Sequence, residues 1–129
     1  AVQQVIEEEN LLTDVRTRGE QLRNGLQVRL SQNSHVGNIR GRGLFWTVEL
    51  VQDRTTKQPF DATLGLAPKV REIALDLGLM CYPSQGCADG TQGDHVLLAP
   101  AYTSKRKEIE TICDLITQAI ETALTGLEA

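Results

Sequence analysis

Two glycine-rich stretches hold the groups best suited to chemistry. Arg40-Gly41-Arg42-Gly43-Leu44 sets guanidinium forks beside permissive backbone, a composition that could cradle a phosphate. Gly90-Thr91-Gln92-Gly93-Asp94 offers similar backbone freedom without the positive charge. Phosphate fingerprints lead from a strand into a helix, whereas both stretches run into strand-like sequence. A turn that shapes the chain is therefore the favoured reading of each. Asp94 and His95 would make an oriented base, but adjacent residues on a strand point to opposite faces, which places the pair poorly. Glu49 and Asp53 read as a solvated face rather than a catalytic dyad. Cys81, Cys87 and Cys113 have neither zinc-knuckle nor CxxC spacing, and with only His35 and His95 available a metal site is not expected. The thiols read as reduced and structural. No Ser, Cys and His arrangement has a spacing that supports nucleophilic catalysis. Cys81, beside Tyr82 and Pro83 at the mouth of the second glycine-rich loop, is the best-placed pocket wall, with a plain core thiol as the alternative.

These residues need elements to hold them. The segment Gly37 to Val51 is the most strand-like in the sequence, with Arg40 to Gly43 as a turn before it. Period-two alternation puts Leu44, Trp46, Val48 and Leu50 on one apolar face, and Phe45, Thr47, Glu49 and Val51 on the other. An apolar face needs a cover, and helices on either side are available. The first is a short one over residues 1–9, closed at Asn10, a residue that tolerates the left-handed conformation. A long amphipathic helix follows from Leu11 to about Gln32, with Leu12, Val15, Gly19, Leu22, Leu26 and Leu30 on its stripe. A polar loop of about 12 to 14 residues follows Val51, at a length where loops usually have a task. Leu66 to Leu77 reads as a helix with Pro68 in its first turn and Gly78 as its stop. Short strands are expected at Leu79 to Tyr82, ending at Pro83, and at His95 to Ala99. The glycine-rich segment Ser84 to Asp94 joins them, either as a hairpin loop or as a longer link within the sheet. A last helix is capped by Ser104, carries Ile109, Ile112, Cys113, Ile116, Ile120 and Leu124, and stops at Gly126. The expected fold is α+β, a small, mainly antiparallel sheet of three to four strands with helices packed on one face.

The chain has 129 residues, enough for one core and one domain. At 40% hydrophobic and 23% charged it is ordinary for a globular protein. A net charge of -4 does not suit nucleic acid, which needs a basic stripe. No run is long and apolar enough for a membrane span, and the first residues lack the features of a signal peptide. The expected location is cytoplasmic.

Two runs, VGNIRGRGLFWTVELVQDRTTKQPF and DGTQGDHVLLAPAYTSKRKEI, resemble the strand-pair and later signatures of class III pyridoxal-phosphate aminotransferases, in the family's order and spacing. The resemblance covers practically the whole chain. It implies that residues 1–129 are the small C-terminal domain of such an enzyme, with 1–33 as a helical lead-in and the large cofactor-binding domain absent. It implies pyridoxal phosphate as cofactor of the full-length enzyme, bound through a lysine in the large domain, and none in this fragment. Lys57, Lys69, Lys105 and Lys107 match no such lysine motif. The partners implied are the chain's own large domain, the second subunit of a homodimer, and an amine or amino acid with a keto acid. The small domain would close one side of the substrate cleft, and the isolated chain would be inert. Relatives grip substrate carboxylates with an Arg at a position that aligns with Leu97, or at another that aligns with Cys81. Neither is Arg here, which implies an apolar or amine-facing wall, or an Arg supplied elsewhere. Pro100-Ala101 also departs from the family's Pro-Pro. The competing reading is a non-catalytic binding or interaction module of the same fold.

Overall fold

The computed structural model describes residues 1–128. Its elements run α1 (Val2–Glu8), α2 (Leu11–Leu30), β1 (Val36–Arg42), β2 (Phe45–Leu50), α3 (Leu66–Asp76), β3 (Tyr82–Gln85), β4 (Asp94–Leu98) and α4 (Arg106–Glu128). The four strands form one antiparallel sheet in the order β1-β2-β4-β3. Trp46, Val48, Leu50, Val96 and Leu98 turn inward and join the buried stripes of α2, α3 and α4 in one core. The expected α+β fold is the one observed, and the link between the last two strands is a hairpin.

Asn10 takes the left-handed conformation, with φ 52°, and separates α1 from α2. The first turn of α2 is then covered on one side only, where Leu11 borders α1 and the Ala101–Thr103 segment. Leu11 is buried, and the stripe continues through Gly19, Leu22, Leu26 and Leu30, whereas Leu12 is 57% exposed. The expected stripe was thus wrong by one residue at its start. The expected turn over Arg40 to Gly43 is shorter. Arg40, Gly41 and Arg42 belong to β1, and only Gly43 and Leu44 turn. Gly43 has φ +56°, which suits the first central position of a two-residue hairpin turn.

The strand expected at Leu79 to Tyr82 lies three residues later. Gly78 N–H donates to Leu75 O and Leu79 N–H to Ala74 O, at 2.9 and 2.7 Å. This pair of bonds closes the end of α3 and commits Leu79 to the helix terminus. Pro83 does not halt the strand, because β3 is at the sheet's edge, where a missing N–H is tolerated. At the other end, α4 starts at Arg106 rather than directly after Ser104. Lys105 N–H donates to the Glu108 carboxylate at 2.6 Å, the reciprocal half of a capping box. Gly126 does not stop α4, since Leu127 continues its packing against the core.

The polar stretch after Val51 is structured. Asp53 Oδ1 accepts from the N–H groups of Thr55 and Thr56, both at 2.8 Å, and Asp53 pairs with Gln58 in an isolated bridge. A short 3-10 turn spans Ala62–Leu64, and Phe60 is buried. Lys57 Nζ donates to Gly37 O at 2.5 Å, beside an irregularity in β1 between Val36 and Asn38. Among the described residues, no helix is long and apolar enough to cross a membrane.

Candidate functional site

The sheet has one face covered by helices and one open. Alternation and register decide what the open face presents. One row across it reads Arg40, Thr47, Leu97 and Tyr82, and the next reads Asn38, Glu49, His95 and Ser84. Tyr82 is 66% exposed and lies directly opposite Leu97. Arg40 donates to Glu49 at 2.5 Å along this face. That pair is half exposed on the Arg side, so it orders the surface more than it stabilises the fold.

The three residues expected at the loop mouth are therefore divided between faces. Tyr82 stands on the open side, Pro83 is buried under the helices, and half-buried Cys81 packs against the core. Of the two positions considered for an arginine, Leu97 is on the open face and its cross-strand neighbour is Tyr82, not Cys81. Burial raises the Cys81 thiol pKa, with Arg71 acting in the opposite sense. Burial likewise raises Cys87, and it pushes Cys113 up to about 11. A raised thiol is a poor nucleophile at neutral pH.

The glycine-rich loop contracts to Gly86–Gly93, because Ser84 and Gln85 belong to β3 and Asp94 to β4. Its backbone donors turn inward. Gly86 and Cys87 donate to Gly93 O, Ala88 to Gln92 O, and Gly90 to Gly86 O. Asp89 Oδ1 takes the N–H groups of Thr91 and Gln92 at 2.8 and 2.7 Å, and these bonds hold its carboxyl below the ordinary range. With most of its backbone donors engaged internally, the loop is not arranged as a phosphate cradle.

Asp94 and His95 point to opposite sides of the sheet, as alternation requires. Asp94 is 1% exposed, and its Oδ1 accepts from Ala67 N–H at 2.9 Å. Gly65, the residue before α3, has no side chain to cap that helix, so a carboxylate from β4 does it instead. Burial nonetheless holds the Asp94 pKa above the ordinary carboxylate range, and its Oδ2 has no protein partner. Gln85 adds a second tie, donating to Ala62 O at 3.1 Å. Sequence reading missed both ties. A buried acid at the start of an apolar strand was the available signal for Asp94, but its partner lies 27 residues away.

Comparison with known proteins agrees with this architecture. The model of the class-III aminotransferase family matches residues 1–120. An aminotransferase of Gibberella zeae is 44% identical over 95% of this chain and 24% of its own length. A taurine–pyruvate aminotransferase of Rhodobacter capsulatus is 33% identical over 97% of this chain and 26% of its own length. In the solved structure of a transaminase from the marine bacterium Virgibacillus, the similar part gives a TM-score of 0.87 at 31% identity, covering 95% of this chain and 27% of that one. The chain thus spans about a quarter of the length of these relatives. On its motifs, its fold and these matches, this chain belongs to the class III aminotransferases.

Proposed function

We propose that this chain is the small C-terminal domain of a pyridoxal-phosphate-dependent transaminase and that it closes one side of the substrate cleft. The observation that carries this reading is a match along nearly all of this chain to only a quarter of its relatives. In the full-length protein, an amine or amino acid would give up its amino group and a keto acid would receive it. The relative named taurine–pyruvate aminotransferase supports that pair of substrate classes. A homodimer of cytoplasmic subunits is the assembly this reading carries with it.

The chain's own residues do not fit pyridoxal phosphate. Lys57, Lys69, Lys105 and Lys107 are all exposed, and most backbone donors of the glycine-rich loop are engaged within it. The cofactor would therefore be held by residues outside this chain, and the isolated chain would be inert. What this chain would supply is a wall. Cys81, Tyr82 and Pro83 form its start, with Tyr82 and Leu97 giving the exposed surface and Cys81 and Pro83 backing it.

The test uses the full-length polypeptide. Bound-cofactor absorbance and amino transfer there, with neither in residues 1–129 alone, are the expected results. No cofactor binding by the full-length protein would favour a non-catalytic module. Tyr82→Arg in the full-length enzyme is expected to raise kcat/KM for carboxylate-bearing donors relative to simple amines by roughly tenfold, the scale of one favourable charge-assisted contact. An unchanged ratio would show that Tyr82 does not face the substrate.

A further inference from the structure

The element this chain leaves least buried is α1. None of the residues of Val2–Glu8 is fully buried, although Val2, Val5 and Ile6 are apolar and share a side. A seven-residue helix is too short to hold itself in water, so it depends on packing. Beside it runs an open groove of about 530 Å³, lined by Val2, Val5, Ile6 and Leu11 on one bank and by Ala101 and Tyr102 on the other. Val2 is 76%, Val5 42% and Tyr102 45% exposed, so both banks of the groove present open apolar surface. Contiguous exposed apolar surface marks a contact site.

The family match says what kind of cover to expect. It begins at residue 1 and so includes α1 and both banks of the groove. These are parts of the family fold, and that fold is about four times longer than this chain in the relatives matched. We infer that the groove between α1 and the Ala101–Thr103 segment seats an apolar segment of the same polypeptide from outside residues 1–129. This inference rests on the reading of the chain as part of a longer transaminase. The groove's lining carries no charged side chain, so the occupant should present aliphatic or aromatic side chains without a salt bridge.

The test compares residues 1–129 with the full-length protein, each carrying Val5→Cys. Labelling with a maleimide is read by peptide mass spectrometry, and Val28→Cys on the exposed side of α2 serves as control. At least tenfold slower labelling at position 5 in the full-length protein, with equal labelling at position 28, is expected. Equal rates at position 5 would overturn the inference. Slow labelling already present in residues 1–129, or slow labelling of the full-length protein, that is lost when the copies are diluted apart would identify a second copy as the occupant and also overturn it. Hydrogen exchange of the α1 amides in both unsubstituted proteins gives the same decision if the variant folds poorly, with slower exchange expected in the full-length protein. Cofactor absorbance of the full-length protein is recorded alongside. Protection without cofactor would leave the groove's occupant established while removing the transaminase reading.

Discussion

The two glycine-rich connections of the sheet look alike in sequence and are held by opposite means. The β1–β2 turn is gripped from outside. A Cβ on Gly19 of α2 would lie 2.3 Å from Gly43 O, so the helix touches the turn backbone directly. Trp46 Nε1–H donates to that same carbonyl at 2.8 Å. The Gly86–Gly93 loop, in contrast, is held by its own backbone, and a Cβ on Gly90 would meet nothing within 4 Å. Its hairpin is tied to the rest through polar side chains, Asp94 to Ala67 N–H and Gln85 to Ala62 O. Glycine therefore serves packing between elements in the first case and local chain geometry in the second.

That contrast can be broken by substitution. The largest effect is expected for Gly19→Ala. The added methyl meets backbone that cannot swing aside, and overpacking of this kind costs roughly 3 kcal/mol. Urea unfolding of residues 1–129 checks it, and a loss under about 1 kcal/mol would mean that the turn can move away from α2. Gly90→Ala should cost less, about 1 kcal/mol, because only the positive φ of +93° is penalised. If the two losses were equal, the distinction between a gripped turn and a self-supporting loop would fail.

The finest test concerns slope rather than size. Because burial raises the Asp94 pKa, the folded chain binds this proton more tightly than the unfolded chain does. The contribution is greatest below the ordinary carboxylate pKa of about 4 and falls as pH rises through the raised folded value. Asp94→Asn keeps the acceptor for Ala67 N–H and removes the titration. Unfolding measured from about pH 4 to 7 should show the wild type losing stability relative to this variant. A flat difference would mean that Ala67 N–H and the helix terminus fully compensate the buried charge.

Local pattern made much of this fold legible. The inward face of β2 and the stripes of α3 and α4 follow from periodicity, and the left-handed Asn10 follows from residue type. Errors arose where a second element decided the outcome. Leu12 is in phase with the stripe yet stays exposed, whereas Leu11 is buried beside α1, because only tertiary packing decides which side of the first turn is covered. The start of β3 moved because Leu79 is used to close α3, and Pro83 was admitted because the strand is an edge. The proposed wall was legible only as a neighbourhood. Cys81, Tyr82 and Pro83 are consecutive, but the open face belongs to Tyr82 and Leu97, and that pairing depends on a register which sequence alone did not provide.

The bond from Lys57 to Gly37 O also bears on how the molecule behaves at high concentration. β1 is an outer strand, and its free backbone would otherwise template a strand from another molecule. The ammonium occupies one carbonyl of β1, and the irregularity between Val36 and Asn38 disturbs the spacing beside it. An incoming strand would have to displace a charge and match an uneven ladder at once. At this edge the sheet is thereby guarded against growing from molecule to molecule into fibrous aggregates.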